Sequence, residues 1–161
     1  MILYKKMSLF DAPEGSILAH GCNARGIWGG GIAATFRKKY PKSYVQYNTY
    51  CLEYLKTHPK YGAVGTALIT REENKRFVGC LITSANYGAK VDDPEIIVAQ
   101  TYLALDNLFK DSMVCVYKTP IYCNKFNSGL FQVPWHETEK ALKYFINRYK
   151  IQVTVCDPDY P

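Results

Sequence analysis

The stretch Leu18-Ala-His-Gly-Cys-Asn-Ala-Arg-Gly-Ile-Trp-Gly-Gly-Gly-Ile32 runs from an apolar strand-like segment through a glycine-rich bend into the start of a helix. Three consecutive glycines, Gly29, Gly30 and Gly31, lose more backbone entropy on folding than other residues and offer no side chain to pack. They fit a place where the backbone must come close to something. The helical face that follows begins at Ile32, so the unpaired N–H groups of that helix start point at the same spot and form an anion site. A tight strand-to-helix turn is the bland alternative. G-x-x-x-x-G-K-[ST] is absent from the chain, and G-x-G-x-x-G is absent from this segment.

Outward from that bend, short apolar runs alternate with amphipathic stretches. Ile2 to Lys5, Ile17 to His20, Thr66 to Thr70, Phe77 to Thr83, Met113 to Tyr117 and Ile151 to Cys156 read as strands. Ile32, Ala33, Phe36 and Tyr40 share a helical face, and Tyr44, Tyr47, Cys51, Tyr54 and Leu55 share a second. Pro94 and Pro134 each open a further helix, the latter with Glu137 and Glu139 near its positive end. Alternating strands and helices predict an α/β domain with a mostly parallel sheet covered on both faces. Ligands of such sheets bind beyond the carboxyl ends of the strands. There a second segment, Asn127-Ser-Gly-Leu-Phe-Gln-Val-Pro-Trp135, repeats the strand-to-helix arrangement with a glycine. Two such loops at neighbouring strand ends are expected to hold a pyrophosphate between them.

The bulk composition sets the bounds. The 161 residues suffice for one domain spanning residues 1–161, and 48% apolar with 21% charged residues is an ordinary globular balance. No apolar run reaches a membrane span, and MILYKKMSLF is no secretory leader, so the expected setting is cytoplasmic. The six cysteines form no C-x-x-C pair or zinc-ligand cluster; reduced, buried thiols are expected and no metal. A formal charge of +6 suits an anionic partner without choosing one. The basic residues are scattered and form no aromatic–basic stripe, which argues against nucleic acid.

HGCNARGIWGGGIA resembles the first glycine-rich loop of macrodomains, NSGLFQVPWHETEKAL resembles their second phosphate loop, and SLFDAPEGSILAHGCN resembles the segment leading into the first. The resemblance covers nearly the whole chain and implies a three-layer α/β/α sandwich with a mixed, mostly parallel sheet. It implies a monomer that binds ADP-ribose or ADP-ribose 1''-phosphate and needs no cofactor. The pattern is most similar to the ADP-ribose 1''-phosphate phosphatases, with reader modules and ADP-ribosyl hydrolases as alternatives.

Residue by residue, the resemblance implies that Asn23 holds the distal ribose, that Gly29, Gly30, Gly31 and Ile32 line one side of the diphosphate, and that Ser128, Gly129, Leu130 and Phe131 cradle it opposite, beside Asn127. Ser8 and Leu9 fall where the adenine is bound, with Ser8 in place of an aspartate and Asp11 three residues on. Trp28, within the glycine loop, is expected to shield the site. His20 is the expected acid or base, since an imidazole titrates near neutrality. An acidic partner for it is missing from the second loop, which leaves Asp157 or Asp159 in the tail. The lysine and aspartate of the glutamate-hydrolase branch would fall at Ser84 and near Phe131, so lysine-based chemistry is not expected.

Overall fold

Short apolar runs and period-3.6 amphipathic stretches alternate along the chain, and the computed structural model, which describes all 161 residues, turns them into three layers. Strands β1 (Ile2–Lys5), β2 (Ile17–Asn23), β3 (Ala67–Glu72), β4 (Arg76–Ser84), β5 (Ile121–Cys123) and β6 (Val153–Cys156) form one sheet in the order β1-β6-β5-β2-β4-β3. All pairings are parallel except β3 with β4. That hairpin reverses through Asn74 and Lys75, both with φ near +55 to +58.

Helices α1 (Gly31–Lys39) and α2 (Pro41–Thr57) cover one face; α3 (Pro94–Lys110), α4 (Ser112–Cys115) and α5 (Trp135–Tyr149) cover the other. The alternation along β2 assigns its side chains to the two cores. Ile17 and Ala19 join Leu105, Leu108, Phe109, Leu142 and Phe145 under α3 and α5. Leu18 and Cys22 join Phe36, Tyr47 and Cys51 under α1 and α2. Such two-sided burial explains why the strands read as near-continuous apolar runs. Five of the six cysteines are buried and all are free thiols.

Two elements differ from the sequence expectation. The run Met113 to Tyr117 is not a strand: Asp111 accepts a hydrogen bond from the Met113 N–H at 2.9 Å and caps the four-residue α4, while Val116 and Tyr117 stay exposed. The strand of that region is β5, after Pro120, because only Ile121–Cys123 reaches both β2 and β6. A local cap thus outweighs the β-propensity of MVCVY. Strand β2 also continues to Asn23, three residues beyond His20, which places His20 in mid-strand opposite Cys80 of β4.

Candidate functional site at the carboxyl edge of the sheet

Because β2 lies between β5 and β4, the loop after β2 is flanked by the loops after those two strands. The β2 loop begins where the β2–β4 register shifts between Cys22 and Asn23. Asn23 organises it. Its Nδ2 donates to the Ile27 carbonyl at 2.7 Å and its Oδ1 accepts from the Arg25 N–H at 3.0 Å. Tyr47 from α2 donates to the Asn23 carbonyl at 2.6 Å, and burial pushes the Tyr47 phenol well above its usual value. Gly30 then caps α1 in extended conformation and Gly31 has φ +59. The N–H groups of Gly29, Gly30, Gly31, Ile32 and Ala33 have no protein acceptor.

The β5 loop is held from inside. Asn127, in left-handed conformation at φ +68, accepts a hydrogen bond from Thr83 at 2.7 Å and donates to Thr101 at 2.9 Å and Thr138 at 3.3 Å. It therefore ties β4, α3 and α5 to the loop. Its side chain is engaged in the interior rather than turned to a ligand. A Cβ at Gly21 would come 2.9 Å from Asn127 Oδ1, so the glycine in β2 leaves room for this bridge. Beyond it, the N–H groups of Gly129, Leu130 and Phe131 have no protein acceptor, and the buried hydroxyl of Ser128 has no partner.

The two loops meet. A Cβ at Gly30 would lie 3.0 Å from Leu130 Cδ1, and one at Gly31 would lie 3.6 Å from it. Two sets of idle amides at adjoining strand ends, one set at a helix N-terminus, form a site for a polyanion such as a diphosphate.

The neighbouring residues take different places. Ser8 caps the turn Leu9–Asp11 by accepting from the Phe10 N–H at 3.2 Å, Leu9 is buried, and Asp11 is exposed. Asp157 is held by Lys125 at 2.9 Å, which keeps its carboxyl below the usual range, and Asp159 is exposed. Trp28 does not shield the cleft: it is 1% exposed and stacks on Tyr47 at 4.9 Å between centroids. Its neighbours in the sheet's second core leave it no path outward.

His20 is fully enclosed. Its ring stacks on Phe36 at 4.1 Å and meets the edge of Trp28 at 5.1 Å. A ring without solvent contact reaches no phosphate in this conformation; the reason is its position in mid-strand on the α1/α2 face rather than at the strand end. His20, Cys22 and Cys80 bring their ligand atoms within 4.8 Å, a cluster invisible in the spacing because Cys80 arrives from β4. Cys22 Sγ stands 3.5 Å from Nε2 and 3.9 Å from Nδ1, so it lies beside the ring rather than along either nitrogen lone pair, unlike a shared metal. Burial raises the Cys22 thiol, but hydrogen bonding with Cys80 and the nearness of His20 outweigh it and hold the thiol below its usual value.

In the third loop the sequence offers Tyr87 only as a weak ligand contact, with packing the favoured explanation, and gives Asn86, Lys90 and Asp92 no role. Ser84 accepts from the N–H groups of Asn86 and Asp92, both at 3.3 Å, and donates to the Asn86 carbonyl at 2.6 Å. Asp92 accepts from the Ala85 N–H at 2.7 Å and from Asn86 Nδ2 at 3.2 Å, while Asn86 Oδ1 accepts from Arg25 Nε at 3.1 Å. A cavity of about 530 Å³ lies here, lined by Arg25, Ile27, Asn86, Tyr87 and Lys90. The signal was present only as the polar run SANYGAKVDD between a strand and a helix. A smaller cavity of about 260 Å³ sits at the β3 edge against the C-terminal half of α3, away from these loops.

Known proteins match this arrangement. The Macro domain family matches residues 19–142. A Candida albicans protein named ADP-ribose 1''-phosphate phosphatase is 40% identical over 158 residues, covering 91% of this chain and 95% of its own. An Aspergillus oryzae protein of the same name is 33% identical, covering 84% of each. Among solved structures, the macrodomain of Mycobacterium tuberculosis DarG superposes with a TM-score of 0.76 at 18% identity over 98% of both chains. Thermosipho africanus DarTG in complex with ADP-ribose superposes at 0.69 and 14% identity, covering 88% of this chain and 37% of that one. With the family matched over residues 19–142 and the two glycine-bearing loops after β2 and β5 in contact, this chain belongs to the macrodomain family.

Proposed function

We propose that the protein binds ADP-ribose 1''-phosphate and hydrolyses it to ADP-ribose and phosphate. The observation that carries the binding half is the contact between Gly30 and Leu130, which sets two rows of unpaired amides side by side. Relatives named ADP-ribose 1''-phosphate phosphatase, matching most of the chain at 33–40% identity, support the activity. The diphosphate lies between Gly29–Ile32 and Ser128–Phe131, and Asn23 shapes the pocket for the distal ribose. Fixed donors that already face the anion need no reorganisation as charge shifts in the transition state.

In the reaction a water oxygen bonds to phosphorus while the bond from phosphorus to the ribose oxygen breaks. Asp92, whose carboxylate is steadied by the Ala85 N–H and Asn86, takes the water proton and returns it to the ribose oxygen, which regenerates the base. Asp92→Asn is expected to lower kcat by about 10²-fold or more while leaving ADP-ribose affinity within about threefold. Phosphate release at wild-type rate in that variant would remove Asp92 from the mechanism.

The test of the activity is phosphate release from ADP-ribose 1''-phosphate, with and without a chelator. Release that persists in chelator supports a metal-independent phosphomonoesterase; calorimetric ADP-ribose binding without release would make the chain a reader. At the glycine loop, Gly31→Ala forces a Cβ into a left-handed residue, costing about 1–2 kcal/mol. If that strain falls on the bound loop, ADP-ribose affinity drops about tenfold. Unchanged affinity with a lowered melting temperature would place the strain in the free loop as well, where φ is already +59; unchanged affinity and melting temperature together would show that the ligand does not depend on the conformation at Gly31.

A further inference from the structure

We propose that the cavity of Arg25, Asn86, Tyr87 and Lys90 is the subsite for a terminal phosphomonoester, and that it makes the protein prefer ADP-ribose 1''-phosphate over unphosphorylated ADP-ribose. This rests on the function proposed above. The sheet order carries it. At the carboxyl edge the loops follow as β1, β6, β5, β2, β4, so Ser8, Leu9 and Asp11 lie at one end, the two amide-bearing loops lie centrally, and residues 85–92 lie at the other end. A ligand whose diphosphate sits between the β5 and β2 loops, and whose adenine reaches toward β1, extends its far ribose toward β4. The cavity of about 530 Å³ is there, and it shares Ile27 with the glycine loop.

Its chemistry suits a dianion. Two of the five lining residues are cationic and none is acidic. Neither Arg25 nor Lys90 has a carboxylate within ion-pairing distance. Arg25 is fixed in place by the carbonyls of Pro59 at 3.1 Å and Lys60 at 2.7 Å, and by Asn86. Neutral acceptors orient its guanidinium without cancelling its charge. The N–H groups of Tyr87, Gly88 and Ala89 are unpaired, and Gly88 has φ +66. Prepositioned cations with free amides favour a phosphomonoester, which carries nearly two charges at neutral pH, over a hydroxyl.

The test compares calorimetric affinities for ADP-ribose 1''-phosphate and ADP-ribose in wild type, Lys90→Ala, Lys90→Glu and Arg25→Gln. The Lys90 side chain is exposed and has no hydrogen-bond partner, so its variants are expected to fold; thermal melting checks Arg25→Gln, which also loses the carbonyl contacts. Lys90→Glu is expected to weaken the phosphorylated ligand about tenfold or more while ADP-ribose changes less than about twofold, with Lys90→Ala intermediate. Equal losses for both ligands, no loss for either, or a wild type without preference for the phosphorylated ligand would each overturn the subsite. A wild type that prefers that ligand yet releases no phosphate would remove the enzymatic reading and leave the subsite standing. Turnover that is indifferent to both Lys90 variants would do the reverse.

Discussion

Asn127→Ala is expected to destabilise the fold by about 2–4 kcal/mol, among the larger effects of a single substitution, and to abolish measurable ADP-ribose binding. Two separate costs add. The first is a buried network losing its centre: Thr83 loses its acceptor and Thr138 its donor, while Thr101 keeps its bond to the Ile97 carbonyl. Hydroxyls left unpaired inside the protein lose more than a hydrogen bond contributes. The second is the backbone, since asparagine tolerates φ +68 better than alanine. Asn127→Gly separates them: it relieves the backbone and leaves the network broken, so it should recover about 1 kcal/mol of the loss. Urea unfolding with calorimetry on both variants is the measurement. A loss under about 1 kcal/mol with binding intact would show that the bridge is dispensable.

His20→Ala is expected to cost about 3 kcal/mol, because it empties a site packed between Phe36, Trp28 and Cys22. Lost phosphate release in that variant would therefore say little about chemistry. His20→Leu is the informative change, with similar volume and no titratable group. If the ring only packs, His20→Leu recovers most of the stability and retains kcat within about tenfold. If kcat collapses while melting temperature and ADP-ribose affinity hold, the imidazole acts as acid or base, and the enclosed ring must reach the substrate in another conformation.

The locations of the elements were legible because their signals are local. Periodicity along Pro94–Lys110 and Trp135–Tyr149, proline at or just before the first turn of each, and the apolar β4 segment all act within a few residues. The same holds for the glycine run and for the second loop, whose sequences announce bends that present amides. Misreadings arose where local signals competed. MVCVY has the composition of a strand, yet Asp111 caps it into a helical turn, and Ile17–His20 lacks a stop signal that would show β2 running on to Asn23.

Sequence alone determined that this chain is an α/β protein with two amide-bearing bends, because strand and helix patterns and glycine conformations are set by neighbouring residues. Tertiary structure alone decided what those bends face. The contact of Gly30 with Leu130, the enclosure of His20, the hold of Asn127 on three threonines and the meeting of Arg25 with Asn86 join residues 11 to 100 positions apart or depend on which face of β2 a side chain takes. Those outcomes follow from the order β5-β2-β4, and strand order is a property of long-range pairing that no short window of residues encodes.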